Sequence, residues 1–542
     1  MRFPRAFLLC CSAVLVQPPP EVGASHRPPG QPASGHAQAQ PEQRQTLTEV
    51  EARESLQQAA HLVQQGKLEQ ADRLARRALS NPQVRAVACS VLGVIRFEQK
   101  RLPESESYLE EAIRLEPRLV GAHLSLAQVY LLQDKPQPAL VLYRRVLELD
   151  SSNAAARFAV AHAETQEGNH QRSLEIVRPI LGEVKRSPEG LFLLVTNYLN
   201  TGDRVAAAAL ATDWFRLPDP PQALSIKFGL LFAQAGLTAE AIAVLERARQ
   251  AGPPSYELEF NLGSAYVLNG DPARALDRYD AALALKPESL PTLRQAARIA
   301  ERQGELERSL SYWMRAKKLE PDNPELLLGF GRVCLRMDLL EDAEPALTKA
   351  ASLKPGDPSY QYTLAAAKVG KRQYEDARAL LEAMVRTQPH DPHFQYALGA
   401  VLHAQGRLDE AAERLRESLR LQPDQLASRY YLALVARDQG KDAEAVEILQ
   451  KLLERHPEHA PSTEVLGGLL MNAQRYPEAE THLRKAVQLN PGSVKANYQL
   501  GLLLARTGRK EEAEKQLALT KTLRAEDEKT SRLQLRLLDH DQ

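Results

Sequence analysis

The sequence predicts an all-α solenoid of about fourteen helix–turn–helix repeats, and three observations lead to this fold class. Prolines recur at a constant interval of 34 residues, at Pro253, Pro287, Pro321, Pro355, Pro389, Pro423, Pro457 and Pro491. Small residues recur in the same frame along almost the whole chain. Aromatic residues are only 5% of the chain, which favours closely packed helices with small aliphatic cores. Repeats of this length are typical of solenoids, in which each repeat packs against its neighbours.

Two columns of small residues run through the 34-residue frame. The first contains only Ala and Ser, at Ala71, Ser105, Ala139, Ser173, Ala207, Ala241, Ala275, Ser309, Ala343, Ala377, Ala411, Ala445, Ala479 and Ala513. The second contains Gly and Ala with a single Val, at Ala59, Gly93, Ala127, Ala161, Val195, Gly229, Gly263, Ala297, Gly331, Ala365, Gly399, Ala433, Gly467 and Gly501. Because small side chains let two helix axes approach closely, we expect both columns where paired helices cross.

One repeat illustrates how the frame folds. Between Pro457 and Pro491, apolar residues at helical spacing predict a first helix, and Pro477 opens a second. Proline near the first turn of a helix costs no hydrogen bond, because that N–H has no partner within the helix.

The frames start at residues 52, 86, 120, 154, 188, 222, 256, 290, 324, 358, 392, 426, 460 and 494, and the predicted solenoid spans residues 46–527. Residues 528–542 are predicted to form a capping helix and tail.

Two repeats depart from this pattern. Pro179 falls late in the second helix of its frame, and Trp214 stands where other frames have a small residue. We therefore expect a kink or altered stacking near residues 175–220, unless neighbouring residues repack around them. No helix-breaking residue occurs from Lys510 to Leu538, which predicts an unusually long last helix.

The N-terminus carries the features of a secretory signal peptide. Two arginines precede an apolar run from Ala6 to Val16, and small residues end at Ala24. The run is shorter than the ~20 residues needed to span a bilayer. We interpret residues 1–24 as a signal peptide; the alternative is a disordered start that only resembles one. Residues 25–45 are rich in Pro and Gln, which predicts a disordered linker.

Composition and motifs exclude several classes of function. The 69 Lys and Arg balance 69 Asp and Glu, whereas nucleic-acid binding calls for a basic excess. Nucleotide-binding loops, hydrolase elbows and zinc-protease motifs are absent from the sequence, which predicts no enzyme activity and no cofactor.

Histidines cluster at two turns, at His390, His393 and His403 and at His456 and His459. Metal binding there is the alternative to ordinary polar turns, but the ligand spacing is irregular, so we predict no metal site.

The repeats resemble the tetratricopeptide repeat. One frame carries the resemblance almost position by position, at Leu262, Gly263, Tyr266, Ala275, Tyr279, Ala282 and Pro287. The resemblance covers nearly the whole chain after residue 45, and it implies a right-handed superhelix whose first helices line a concave groove. It also implies protein or peptide partners rather than substrates. The family's chaperone-tail clamp uses Lys and Asn in one repeat, Asn in the next, and Lys and Arg in the third, and no three consecutive frames of this sequence carry that set.

The resemblance further implies that positions five, nine and thirteen of each frame face the groove. In two successive frames these positions carry Arg294, Arg298 and Arg302, and then Arg332 and Arg336. We interpret these five residues as a binding surface for an acidic peptide or carboxylate. The alternative is a set of exposed arginines that neighbouring glutamates satisfy. Position five elsewhere is often aromatic, at Phe158, Phe192, Phe260, Tyr362, Tyr396, Tyr430 and Tyr498, and packing is favoured over peptide binding there.

These observations predict a non-enzymatic protein–protein interaction scaffold. The signal peptide predicts export, so the scaffold would be periplasmic or secreted and would act in a bacterial-type cell envelope. One alternative is an accessory factor of an envelope polysaccharide or protein secretion machinery, and another is a cytosolic scaffold. We expect no transmembrane segment in the mature chain. The sequence leaves the partner and the oligomeric state open.

Overall fold

The computed structural model describes residues 47–530, with side chains described to residue 525. The predicted signal peptide at 1–24, the linker at 25–45 and the tail beyond residue 530 lie outside the described residues. The chain divides into two compact units, Met1–Asp271 and Pro272–Gln542. Within residues 47–530 the regular secondary structure consists of helices without strands, which confirms the all-α prediction. None of the described helices is both long enough and apolar enough to cross a membrane.

The first unit consists of paired helices joined by short turns. They are α1 (Glu49–Gln64), α2 (Leu68–Ala78), α3 (Arg85–Glu98), α4 (Leu102–Leu115), α5 (Val120–Leu132), α6 (Pro136–Leu149), α7 (Ala154–Gln166), α8 (His170–Val177), α9 (Leu181–Val184), α10 (Pro188–Asn200), α11 (Arg204–Arg216), α12 (Gln222–Gln234), α13 (Thr238–Ala251) and α14 (Tyr256–Leu268). From Val120 onward, each first helix of this unit begins at the opening residue of its 34-residue frame.

The second unit continues the same alternation. Its helices are α15 (Pro272–Leu285), α16 (Leu290–Arg302), α17 (Leu306–Leu319), α18 (Pro324–Arg336), α19 (Leu340–Leu353), α20 (Pro358–Gly370), α21 (Tyr374–Thr387), α22 (Pro392–Ala404), α23 (Leu408–Leu421), α24 (Leu426–Asp438), α25 (Asp442–Arg455), α26 (Ala460–Asn472), α27 (Tyr476–Leu489), α28 (Val494–Arg506) and α29 (Lys510–Thr530). The last helix has 21 residues, as expected from the absence of breakers.

The two small columns face each other inside the repeats. A methyl group added at Gly331 would lie 2.5 Å from Leu347 Cγ, and one at Gly467 would lie 2.7 Å from Leu483 Cγ. A serine of the first column also contacts the second column directly, since the Ser309 hydroxyl donates to the Ala297 carbonyl over 2.8 Å. Every residue of the Ala and Ser column is buried. Small residues at these positions therefore set the distance between paired helices.

The turn between the paired helices needs one residue in the left-handed backbone conformation. Glycine supplies it with a positive φ at Gly66, Gly168, Gly202, Gly236, Gly270, Gly304, Gly406, Gly440 and Gly508. In the remaining repeats a larger residue adopts the same conformation, at Lys100, Asp134, Asp338, Arg372 and Gln474. Glycine reaches this conformation without steric cost, whereas a side chain is strained there. This requirement explains the recurrent glycines in the sequence.

The predicted irregularity is confirmed at Pro179. The second helix of that repeat stops at Val177, passes through a 3₁₀ turn at Arg178–Ile180 and resumes as α9. The next repeat accommodates Trp214 without a break, because its buried ring stacks on Phe228 at 4.1 Å between ring centroids. The expected disturbance is thus confined to one helix.

Candidate partner-binding surface

The five arginines named above form the arginine surface, which lies on α16 and α18 in the second unit. These helices are the first helices of two successive repeats. Their only other charged residues are Glu301 and Glu325, so five positive charges stand against two negative ones. The surface therefore keeps an excess of positive charge although the whole chain is neutral. Such a local excess attracts acidic groups.

One carboxylate joins two of the arginines. Arg294 Nη2 lies 2.5 Å from both Glu325 Oε1 and Glu325 Oε2, and Arg298 Nη2 donates to Glu325 Oε1 as well. All three side chains keep between 33% and 41% of their surface exposed. Water therefore screens this cluster, and its net contribution to stability is small.

A second cluster is organised around Glu301, whose side chain is only 9% exposed. Arg332 donates two parallel hydrogen bonds of 2.7 Å to the Glu301 carboxylate. These bonds raise the pKa of Arg332 above its ordinary value. Arg336 donates to the Glu301 backbone carbonyl over 3.0 Å. Arg332 itself is half-buried, with 38% of its side chain exposed.

Arg302 differs from the other four arginines. It is exposed and forms no ion pair or hydrogen bond with the described part of the chain. The structure thus brings four of the five predicted residues into contact with neighbouring glutamates and leaves Arg302 facing solvent. Glu301 directly precedes Arg302 in the sequence, whereas Glu325 is not singled out by its sequence neighbours. The signal was present as a spacing, because Arg294 and Glu325 are 31 residues apart, as are Glu301 and Arg332.

The aromatic residues at position five mostly serve packing. Tyr362 and Tyr396 are buried, and their rings pack against Phe394 and Tyr431 respectively. Burial raises the pKa of Tyr430 to about 12. Tyr498 is the exception within this unit, with 48% of its surface exposed. A continuous aromatic surface for an extended peptide is therefore not formed along these repeats.

Histidines of both sequence clusters contact other residues of the chain. His403 Nε2 lies 2.8 Å from Asp438 Oδ2 on α24, and His459 Nδ1 accepts from the backbone N–H of Ser462 at the start of α26. Burial, with a smaller contribution from His456, lowers the pKa of His459 to about 4. Within residues 47–530, no group of three or more His, Cys, Asp or Glu side chains could hold a metal ion.

The two cysteines of the described chain are free and buried. Burial raises the pKa of the Cys89 thiol above its ordinary value and that of the Cys334 thiol to about 12. Because the thiolate is the reactive form, neither residue is suited to nucleophilic chemistry at neutral pH. Both act as small apolar side chains in the helix core.

Family models agree with this repeat geometry. Models described as tetratricopeptide repeat match residues 56–119, 92–154 and 470–537. A model described as the C-terminal domain of cilia and flagella-associated protein 70 matches residues 204–466.

The chain belongs to the tetratricopeptide repeat family. Among curated proteins it is similar to the protein O-mannosyl-transferase TMTC3 of Homo sapiens, with 30% identity over 135 residues. That match covers 21% of this tetratricopeptide repeat chain and only 15% of the length of the human protein. It therefore concerns one segment of a much longer relative.

Solved structures to which the chain is similar include the APC/C hetero-tetramer Cut9–Hcn1 and yeast Tom70. The first is 14% identical, with a TM-score of 0.38, and the match covers 85% of this chain and 97% of the other. The second is 15% identical, with a TM-score of 0.36, and the match covers 88% and 96%. Tetratricopeptide repeat arrays are protein–protein interaction scaffolds and are typically non-enzymatic.

Proposed function

We propose that this tetratricopeptide repeat protein is a non-enzymatic scaffold that binds an acidic segment of a protein partner at the arginine surface. The observation that carries the proposal is the charge of α16 and α18, where five arginines stand against two glutamates. Guanidinium groups bind carboxylates through paired, directed hydrogen bonds. The ion pairs of Glu325 and Glu301 with these arginines support the proposal, because both are contacts between a carboxylate and a guanidinium group.

The residues best placed to bind a partner are Arg294, Arg298 and Arg302. They project from one helix at intervals of four residues, so they lie along one face of α16. Arg332 is committed to the nearly buried Glu301 and contributes mainly by holding that carboxylate. Arg336 is exposed enough to add a contact at the edge of the surface.

The cellular location is part of the proposal. The N-terminal pattern that ends at Ala24 supports export, so the scaffold would work in the cell envelope or outside the cell. N-terminal sequencing of the protein from its native source tests this. We expect a mature chain that starts at Ser25. A chain that retains Met1 in the cytosol would instead make this a cytosolic scaffold.

Binding of a labelled hexaglutamate peptide to the mature chain tests the surface directly. We expect the wild type to bind the peptide, with an affinity that falls as salt is added because the charges are partly solvated. The triple variant Arg294→Gln, Arg298→Gln and Arg302→Gln should bind at least about tenfold more weakly, since it loses several charge-assisted hydrogen bonds. Hexaglutamine serves as the uncharged control peptide.

A matched control variant separates a specific surface from general charge. Arg414, Arg416 and Arg420 lie on α23, a second helix, so their replacement by Gln removes the same three charges elsewhere in the unit. We expect this control to bind hexaglutamate as the wild type does. Equal losses in both triple variants, or no binding by the wild type, would contradict the proposal.

A further inference from the structure

The carboxylate of Glu325 occupies part of the arginine surface from within the chain. Its carboxylate oxygens accept hydrogen bonds from Arg294 Nη2 and from Arg298 Nη2. A partner carboxylate held by the same two guanidinium groups would need the same space and the same donors. The chain's own glutamate and the partner's carboxylate therefore compete for one binding site, formed by Arg294 and Arg298.

We propose that Glu325 is an internal competitor. Its carboxylate occupies the Arg294–Arg298 site in the free protein and leaves when a partner carboxylate binds. The inference rests on the proposed function and deepens it, because it assigns the anion-binding site to two named arginines. It also assigns the chemical class of the ligand group as a carboxylate of an Asp or Glu side chain.

Displacement of Glu325 is favoured by its exposure and by its place in the helix. Its side chain is 39% exposed, so water can solvate the carboxylate once it leaves the arginines. Glu325 is the second residue of α18, where the backbone N–H groups at the helix start favour a negative charge. The Asn323 side chain caps these N–H groups, so the helix start stays formed without the Glu325 contacts.

Glu301 provides the contrast within the same surface. Its carboxylate is nearly buried and is held by Arg332 through two hydrogen bonds. Removing this carboxylate from Arg332 would leave a charge that water reaches poorly, which is costly. A partner therefore exchanges with Glu325 and not with Glu301. The Glu325 cluster is therefore the binding site, and the Glu301 cluster is a structural contact beside it.

The test compares hexaglutamate binding to full-length wild type, Glu325→Gln and Asp322→Asn. Removing the competitor should tighten binding by about threefold to fivefold, the scale expected for loss of an exposed ion pair. Asp322 is an exposed acid that lies in the turn just before α18 and pairs with Lys349. Asp322→Asn therefore removes one nearby negative charge while Glu325 stays on the two arginines. We expect its affinity to match the wild type.

A double-mutant cycle assigns the effect to the two arginines. In a background of Arg294→Gln and Arg298→Gln, the further change Glu325→Gln should leave the affinity unchanged. An equal gain in Asp322→Asn, or a gain that persists in the arginine-free background, would overturn the inference.

The two proposals fail in different ways. If the Arg294, Arg298 and Arg302 triple variant loses hexaglutamate but Glu325→Gln binds as the wild type does, the internal-competitor inference is overturned and the proposed function stands. If neither the wild type nor Glu325→Gln binds hexaglutamate, the proposed function is overturned and the inference with it.

Discussion

The guanidinium of Arg332 binds the carboxylate of Glu301 through two parallel hydrogen bonds of 2.7 Å, and this pair ties two successive repeats together. Glu301 belongs to α16 and Arg332 to α18, so the contact crosses between two first helices. The acid is nearly buried and the base is half-buried. A pair of this kind is costly to break from one side, because the remaining charge keeps its burial and loses its partner.

Arg332→Gln should therefore destabilise the second unit, by about 1–3 kcal/mol in the free energy of unfolding. Arg302→Gln is the matched control, since this exposed arginine has no partner among the described residues, and we expect a change within about 0.5 kcal/mol. Urea unfolding followed by circular dichroism measures both. Equal stability of the two variants would show that the Glu301 pair contributes nothing.

The small columns predict a strong sensitivity to added volume. In Gly331→Ala the new methyl group would lie 2.5 Å from Leu347 Cγ, and in Ala479→Leu or Ala275→Leu three carbons must fit a fully buried crossing. Each variant should cost about 1–3 kcal/mol of unfolding free energy through overpacking. Gly356→Ala is the control, because its new methyl group meets no atom within 4 Å. A melting curve unchanged for the three crossing variants would refute this packing role.

The strained turns offer a stabilising change. Arg372 holds a φ of 59° in the turn where most repeats have glycine. Because glycine reaches this conformation freely, Arg372→Gly should raise the free energy of unfolding by about 0.5–1.5 kcal/mol. The reverse change, Gly440→Ala, should lower it by a similar amount, since the added methyl group meets open space and only the backbone is strained. Thermal melting of both variants checks the opposite signs.

His459 predicts a loss of stability in mild acid. Its pKa is about 4 in the folded chain against an ordinary value of 6.5, so between these values the unfolded state binds more protons. Stability from this residue is therefore complete above pH 6.5 and declines as the pH falls towards 4. The urea midpoint of the wild type should drop more between pH 7.5 and pH 5 than that of His459→Gln. The exposed His390→Gln should follow the wild type, and identical profiles in all three would contradict the prediction.

The repeat length, the paired small columns and the turn glycines are visible in the sequence because each is a local requirement that recurs every 34 residues. Ala479 and Gly467 must be small wherever their helices cross, and Gly440 must be flexible wherever the chain turns back. The same frame placed Arg298 and Arg332 at equivalent positions on neighbouring helices. Periodicity thus predicted the fold, and the resemblance to the tetratricopeptide repeat then pointed to these arginines as a candidate surface.

The tertiary structure decided which groups those arginines contact. Glu325 reaches Arg294 and Arg298 from the next repeat, and Glu301 lies nearly buried against Arg332. It also showed that Arg372 and Gln474 take the left-handed turn conformation without glycine, and that Trp214 is absorbed by stacking on Phe228. These outcomes depend on side-chain directions and on burial between helices about 30 residues apart in the chain, which neither residue type nor spacing specifies by itself.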